Sequence, residues 1–270
     1  MAQAAPRREV NFAFGLVTYQ WAKDWDLKTL IANCEQTGVL GVELRTTHAH
    51  GVEPSLSATE RRDVRARLAD SRVTLVGLGS NERFDAPDRV TLRRAIEASK
   101  QFVRLSHDVG GTGVKVKPNS FHPGIPHERT IAQIARALNE LGDFGAGFGQ
   151  QIRLEVHGEC ARLPIIRQIL DAADHPNVAI CWNSNPQDLE GAGLEANFRL
   201  VRDRFGQTCH IHDLGRKDVY PYDKLFRLLV GINYNGWVML EDGKRPADPV
   251  TALGRQRELF ATLAKQAAGS

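Results

Sequence analysis

The sequence predicts an α/β protein built as a single (β/α)8 TIM barrel, and three observations predict it. Eight short β-rich segments alternate with eight amphipathic helical segments from one end of the chain to the other, the order that a closed parallel barrel produces. The length of 270 residues is close to the roughly 250 typical of such a barrel. Several strand candidates alternate apolar with ionisable residues, whereas parallel strands covered on both faces usually read as continuous apolar runs. A doubly wound open sheet is the alternative, but no glycine fingerprint for it is present.

The strands are expected at residues 12–18, 41–45, 74–79, 113–117, 152–157, 178–182, 209–212 and 237–241. Apolar residues recur at helical spacing over 27–36, 59–69, 90–105, 130–141, 164–173, 195–204 and 222–230, and a last helix is expected over 249–264. Ser57, followed three residues later by Glu60, forms a capping box that opens the second helix. Gly38, Gly145 and Gly231 stand where helices should stop. Pro54, Pro87, Pro118, Pro123, Pro186 and Pro221 fall in loops. No shift in composition marks a second domain, so residues 1–10 are read as a flexible N-terminal tail and 11–270 as one barrel.

Lys plus Arg number 35 and Asp plus Glu 32, a net charge of +3, which argues against nucleic acid or an acidic membrane surface as the main partner. No apolar run approaches the ~20 residues of a membrane span. Cys34, Cys160, Cys181 and Cys209 form no CxxC pair and no spacing typical of zinc or disulfide frameworks; Cys181 and Cys209 are expected as small buried hydrophobes within strands. The N-terminus, Met1-Ala2-Gln3-Ala4-Ala5, has no apolar segment of a signal peptide. A soluble protein is expected, either cytoplasmic or exported with its signal already removed. Homo-oligomerisation is left open.

The alternating strands carry the functional reading. Val42-Glu43-Leu44-Arg45, Val114-Lys115-Val116-Lys117, Arg153-Leu154-Glu155-Val156-His157 and His210-Ile211-His212 each place apolar residues on one face and ionisable ones on the other. The apolar set must meet the helices, so the polar set faces the barrel interior. Burying so many ionisable groups is costly unless they pair or bind a cation. Four successive strand ends carry oxygen or nitrogen donors: Glu155 and His157, then Asn183, then His210 and His212 before Asp213, then Glu241 before Asp242. In a barrel these ends share the face that holds active sites. Carboxylate, imidazole and amide donors together suit one divalent ion, Mn²⁺ first and Co²⁺, Mg²⁺ or Zn²⁺ also. A network of buried salt bridges and hydrogen bonds without an ion is the competing explanation.

Leu154-Glu155-Val156-His157-Gly158, His210-Ile211-His212-Asp213, Leu240-Glu241, and the run from Tyr220-Pro221-Tyr222 through Gly236-Trp237 resemble the xylose isomerase-like TIM barrel family, the superfamily of sugar phosphate isomerases, epimerases and AP endonuclease-like proteins. The resemblance implies one metal held by Glu155, Asn183, His212 and Glu241, with Glu155 and Glu241 also moving protons. Asn183 departs from it, because the family usually has Asp there. His212 is preferred to His210 as the ligand because it lies nearer the C-terminal end of its strand; Asn185 is a second candidate amide.

Other polar residues at strand ends are candidates for substrate binding. Glu43, His48 and His50 surround the end of the second strand, where a loop hydrogen-bonding substrate hydroxyls is favoured over a metal site. Lys115 and Lys117 lead into Pro118-Asn119; Lys117, at the strand end, can hold an anionic substrate group or stabilise an enolate, or else form a salt bridge to Glu155 or Glu43. His157, Asn185, His210 and Arg216 complete the group, with Trp21 either stacking on a sugar face or capping the barrel.

The function expected is a divalent-metal-dependent isomerase or epimerase that removes a proton alpha to the carbonyl of a sugar or keto-sugar. A lyase or dehydratase eliminating from a 3-keto-glycoside or inosose-like substrate shares that first step. A non-catalytic sugar-binding barrel is the third reading, kept open by Asn183. DNA repair is disfavoured, since it calls for a basic groove and more His and Asp ligands than the chain offers.

Overall fold

The computed structural model describes residues 9–269. Eight parallel strands close into one barrel in chain order, β1 to β8, with β1 pairing β8. They are β1 Ala13–Val17, β2 Gly41–Arg45, β3 Thr74–Arg83, β4 Gly113–Lys117, β5 Gln151–Glu155, β6 Val178–Trp182, β7 Phe205–Ile211 and β8 Trp237–Leu240. The principal helices are α1 Leu27–Thr37, α2 Ala58–Ala69, α3 Arg89–Val109, α4 His127–Ala146, α5 Leu163–Ala172, α6 Gly193–Val201, α7 Tyr222–Gly231 and α8 Pro249–Ala268. The expected tail lies, apart from Glu9 and Val10, outside the described residues. No helix among the described residues is long and apolar enough to cross a membrane.

The expected elements are all present, and the differences lie at their ends. β3 runs four residues past Gly79, because a register shift lets Arg83 pair with Lys117. β7 begins at Phe205, where Phe205 pairs Ile180 of β6; the polar run around it masks the strand. The capping box forms: Ser57 Oγ accepts from Glu60 N, and Ser57 N donates to Glu60 Oε2 at 2.7 Å. Gly38 ends α1 in the left-handed region, at φ 69°. Gly145 instead lies inside α4, where a Cβ would stand 2.5 Å from Gln150 O; close approach, and not helix termination, requires glycine there.

The alternation sorts the strands as expected. Leu16, Val42, Leu44, Val114, Val116, Leu154, Ile180, Ile211 and Leu240 join the main core with the buried helix faces. A much smaller apolar cluster, Val17, Val76 and Met239, stands apart from it. The interior also takes long polar side chains, among which Arg153, Lys115, Glu43 and His210 have at most 1% of their surface exposed. Glycines make the room. A Cβ on Gly77 would stand 2.7 Å from Arg153 Nη1, and one on Gly79 would stand 3.0 Å from Glu43 Oε1. All four cysteines are buried and free.

Arg153, a residue for which the sequence reading assigned no role of its own, ties the lower interior together. Its guanidinium donates to Val76 O at 3.1 Å, Thr112 Oγ1 at 2.6 Å, Gln151 Oε1 at 3.1 Å and Gln207 Oε1 at 3.2 Å. These partners are neutral, so the charge is satisfied by dipoles from β3, β5, β7 and the start of β4. Substituting Arg153→Leu removes four hydrogen bonds from one charged donor, of which that to Val76 O is fully buried, and a hydrogen bond to a charged group contributes about 1.5–3 kcal/mol. The expected loss of unfolding free energy in urea is about 3 kcal/mol; a loss below about 1 kcal/mol contradicts this role.

Candidate active site

The polar residues expected at the C-terminal mouth of the barrel converge on one buried ionic cluster. Glu43 from β2, Lys115 from β4, Glu155 from β5 and His210 from β7 point inward, with Asn183 just past β6 and Glu241 just past β8. None of these six is more than 8% exposed. Lys115 Nζ lies 2.7 Å from Glu155 Oε2 and 3.8 Å from Glu241 Oε1. The shorter contact is a close ion pair, although its atoms lie off the direction of a well-formed hydrogen bond. His210 stands between two carboxylates, with Nδ1 at 2.9 Å from Glu241 Oε2 and Nε2 at 3.3 Å from Glu43 Oε1. Asn183 Nδ2 donates to Glu155 Oε1 at 3.1 Å, while its buried Oδ1 has no partner.

The electrostatics follow from burial opposed by pairing. Burial pushes the Glu241 carboxyl up, but Lys115 and His210 outweigh it and hold it well below the usual carboxylate range. Glu43 is likewise lowered against burial, by His210 and Lys115. Burial disfavours the Lys115 ammonium, yet Glu155, Glu241 and Glu43 raise its pKa above that of an ordinary lysine. Lys117, at the mouth with Nζ 3.9 Å from Glu155 Oε2, is lowered by burial and by the charge of Lys115. Burial pushes the imidazole of His210 down; the Cys181 thiol and the Glu241 and Glu43 carboxylates together raise it.

The residues present fit a metal ion in their donor chemistry. Glu155, His210 and Glu241 each offer a donor atom, these atoms lie within 4.8 Å of one another, and all three residues are buried. The orphaned Asn183 Oδ1 adds a neutral oxygen beside Glu155. His210, expected to bind substrate, is the imidazole gathered with the two glutamates. His212, expected on the ion, lies past the end of β7, where its Nδ1 meets Glu241 O at 2.6 Å and its backbone N–H donates to the Tyr222 hydroxyl. Both histidines alternate onto the same face, but the strand ends between them, so only His210 is held inside the barrel.

The remaining candidates divide between the mouth and its supports. His157 Nδ1 meets Asn119 Oδ1 at 3.2 Å, beside Lys117. His48 bridges Thr18 Oγ1 at 2.9 Å and Arg45 Nη1 at 3.2 Å, and burial and Arg45 bring its pKa to about 4, so it is neutral at physiological pH. His50 is buried with both ring nitrogens on backbone, Nε2 against Arg45 O and Nδ1 accepting from Val52 N, and so braces its loop. Asn185 Nδ2 is likewise engaged by Val156 O. Trp21 is buried and donates from Nε1 to Lys244 O. With Arg216 it lines a cleft of about 530 Å³ to which none of the six cluster residues contributes.

Backbone strain marks the same face. Of the five non-glycine residues with positive φ among the described residues, Gln20, Thr47, Asn119 and Ser184 each follow the C-terminal end of a strand, β1, β2, β4 and β6, while Asn233 precedes β8 at the other end. Non-glycine residues held at positive φ cost energy, and such positions gather at functional sites.

The family model described as xylose isomerase-like TIM barrel matches residues 31–263. Among curated proteins no sequence match was found. Among solved structures, the chain is similar to apo 3-keto-D-glucoside 4-epimerase from E. coli, at 17% identity and TM-score 0.77, over 94% of this chain and 99% of that one. It is also similar to an L-ribulose 3-epimerase, at 16% identity and TM-score 0.80, over 95% of each chain. A third is the IolI protein with a bound zinc atom, at 16% identity and TM-score 0.77, over 94% of this chain and 98% of that one. At these identities the likeness establishes the fold.

One buried carboxyl behind the cluster was not singled out from sequence. Asp188 follows Asn185 in a short 3-10 turn; its Oδ2 accepts from Tyr220 OH at 2.7 Å and Asn185 N at 2.9 Å, and its Oδ1 is unpartnered. Burial pushes its pKa up to about 7, from an ordinary 3.8. A carboxyl raised on folding leaves stability intact below its unfolded pKa and costs stability as pH rises to the folded value. The melting temperature should therefore fall between pH 5 and pH 8 in the native protein and fall less in Asp188→Asn; parallel pH profiles for the two proteins would count against it.

Proposed function

Because the chain belongs to the xylose isomerase-like TIM barrel family, we propose that it is an isomerase or epimerase acting on a sugar or keto-sugar. It takes a proton from the carbon beside a carbonyl and returns one to the same or the adjacent carbon. One observation carries this reading: Glu155 and Glu241, from strands on opposite flanks of His210, present donor atoms within 4.8 Å of one another in a buried cluster with Lys115, and Lys117 stands at its rim.

Glu155 is the base on one side of the substrate carbon and Glu241 the group on the other. As one carboxylate accepts the proton, the C–H electron pair moves onto the carbonyl oxygen and forms an enediolate. Glu241, an ionised carboxylate in the resting site, takes a proton from solvent and delivers it to the opposite face of the enediolate, which inverts that carbon, and Glu155 then releases the proton it accepted to solvent. The ammonium of Lys117, less deeply buried than that of Lys115, faces the growing negative charge and stabilises it. Glu43 fixes the far nitrogen of His210, and so sets the orientation in which His210 supports Glu241. His157, at the mouth, is the residue placed to meet a substrate hydroxyl.

Glu155, His210 and Glu241, with Asn183 Oδ1, would hold one divalent ion; Mn²⁺ suits this donor set, as do Co²⁺, Mg²⁺ and Zn²⁺. Bound there, the ion supplies polarisation of the carbonyl and its neighbouring hydroxyl, and so makes the C–H more acidic.

The test is incubation with a 3-keto-glucoside and with a ketohexose in D₂O, followed by NMR. Deuterium at the carbon beside the carbonyl, with an inverted carbinol, is the expected result; an unsaturated ketone would favour the elimination that shares the same first step. Glu155→Gln should lower the exchange rate by at least about a hundredfold and shift the melting temperature by no more than a few degrees. Undiminished exchange in that variant removes Glu155 as the base.

A further inference from the structure

We propose that Lys115 is a built-in cation that occupies the place of a divalent ion, so that the site holds either the lysine ammonium or a metal, and Lys115 sets how tightly metal binds. The inference rests on the cation site of the proposed reading but not on the reaction assigned to it.

Three observations carry it. First, Lys115 Nζ contacts the same two carboxylates that a metal would bridge, at 2.7 Å from Glu155 and 3.8 Å from Glu241. An ion held by Glu155 and Glu241 would share these carboxylates with the ammonium and stand close beside it. Three positive charges that close, inside a barrel shielded from water, repel strongly. The ammonium therefore competes with an ion for these carboxylates and weakens its binding.

Second, Asn183 offers a neutral oxygen where another carboxylate would supply a further negative charge. Its Oδ1 is buried and unpartnered, so the fourth donor is in place, but it does nothing to offset an ion and an ammonium together. Third, the barrel is shaped to admit the lysine. Lys115 is 1% exposed, and its stem passes Gly79 of β3 without crowding, since even a Cβ there would lie 3.5 Å from Lys115 Cε. A charge inserted this deeply offsets one of the two glutamates it faces without a metal.

The test is Mn²⁺ binding to the whole protein, read by calorimetry and by thermal shift, with no assay of turnover. After treatment with EDTA, Lys115→Met should bind Mn²⁺ at least about tenfold more tightly than the native protein and gain more melting temperature from it. Adding Glu155→Gln to that variant should remove the gain, which places it at this site. Equal or weaker Mn²⁺ binding in Lys115→Met overturns the proposal. Should Lys115→Met fail to fold in EDTA, folding restored by 1 mM Mn²⁺ supports the proposal, because the ion then supplies the missing charge; failure in both conditions overturns it. Loss of Mn²⁺ binding without loss of deuterium exchange would leave the proposed reaction standing and this inference refuted.

Discussion

Three carboxylates buried inside one barrel must be matched by positive charge, and the upper half of this barrel is arranged around that need. Glu43, Glu155 and Glu241 come from three different strands, and each is met by Lys115 or His210 at ion-pair distance. A buried pair is a weak source of net stability, because desolvation offsets most of the attraction. Removing one partner is a different matter, since it leaves a charge stranded. The cluster is thus better understood as a preorganised set of charges than as a source of fold stability, and preorganised charge is what a reaction passing through an enediolate requires.

Height within the barrel separates structure from chemistry. Near the lower end, Arg153 is satisfied by neutral amide, hydroxyl and carbonyl groups, an arrangement that fixes neighbouring strands without creating a reactive group. Near the mouth the long side chains meet one another as ions. The glycines of β3 allow both, because Gly77 leaves space for Arg153 and Gly79 for Glu43. Strained residues after four strands shape the loops above, so the rigid part of the site lies in the strands and the adaptable part in the loops.

Much of this was legible in the order of residues. The alternation in Val42-Glu43-Leu44-Arg45 and Arg153-Leu154-Glu155 places the polar side inward, and the structure has it there. Lys115, one step deeper on β4 than Lys117, is the lysine that pairs closely with Glu155. What sequence could not resolve was depth. His210 and His212 share a face by periodicity, and only the point at which β7 ends determines that His210 joins the glutamates. His48 and His50 read alike in the chain, yet one reaches the Thr18 and Arg45 side chains while the other is consumed by its own loop's backbone. Asp188 gave only a faint signal, an acid three residues after Asn185 at the start of a turn; its burial depends on Tyr220, 32 positions away. Arg153 looked like one more inward polar residue, because its partners come from three other strands or their flanks.

The account depends most on the coupling between Lys115 and the glutamate it faces. A double-mutant cycle with Lys115→Met and Glu155→Gln, followed by urea unfolding in EDTA, measures that coupling directly. The account predicts that the two substitutions are strongly non-additive, with a coupling of about 2 kcal/mol or more and a double variant less destabilised than the single changes would sum to. Additive effects, with a coupling near zero, would mean that the two side chains do not share one buried pocket, and would contradict it.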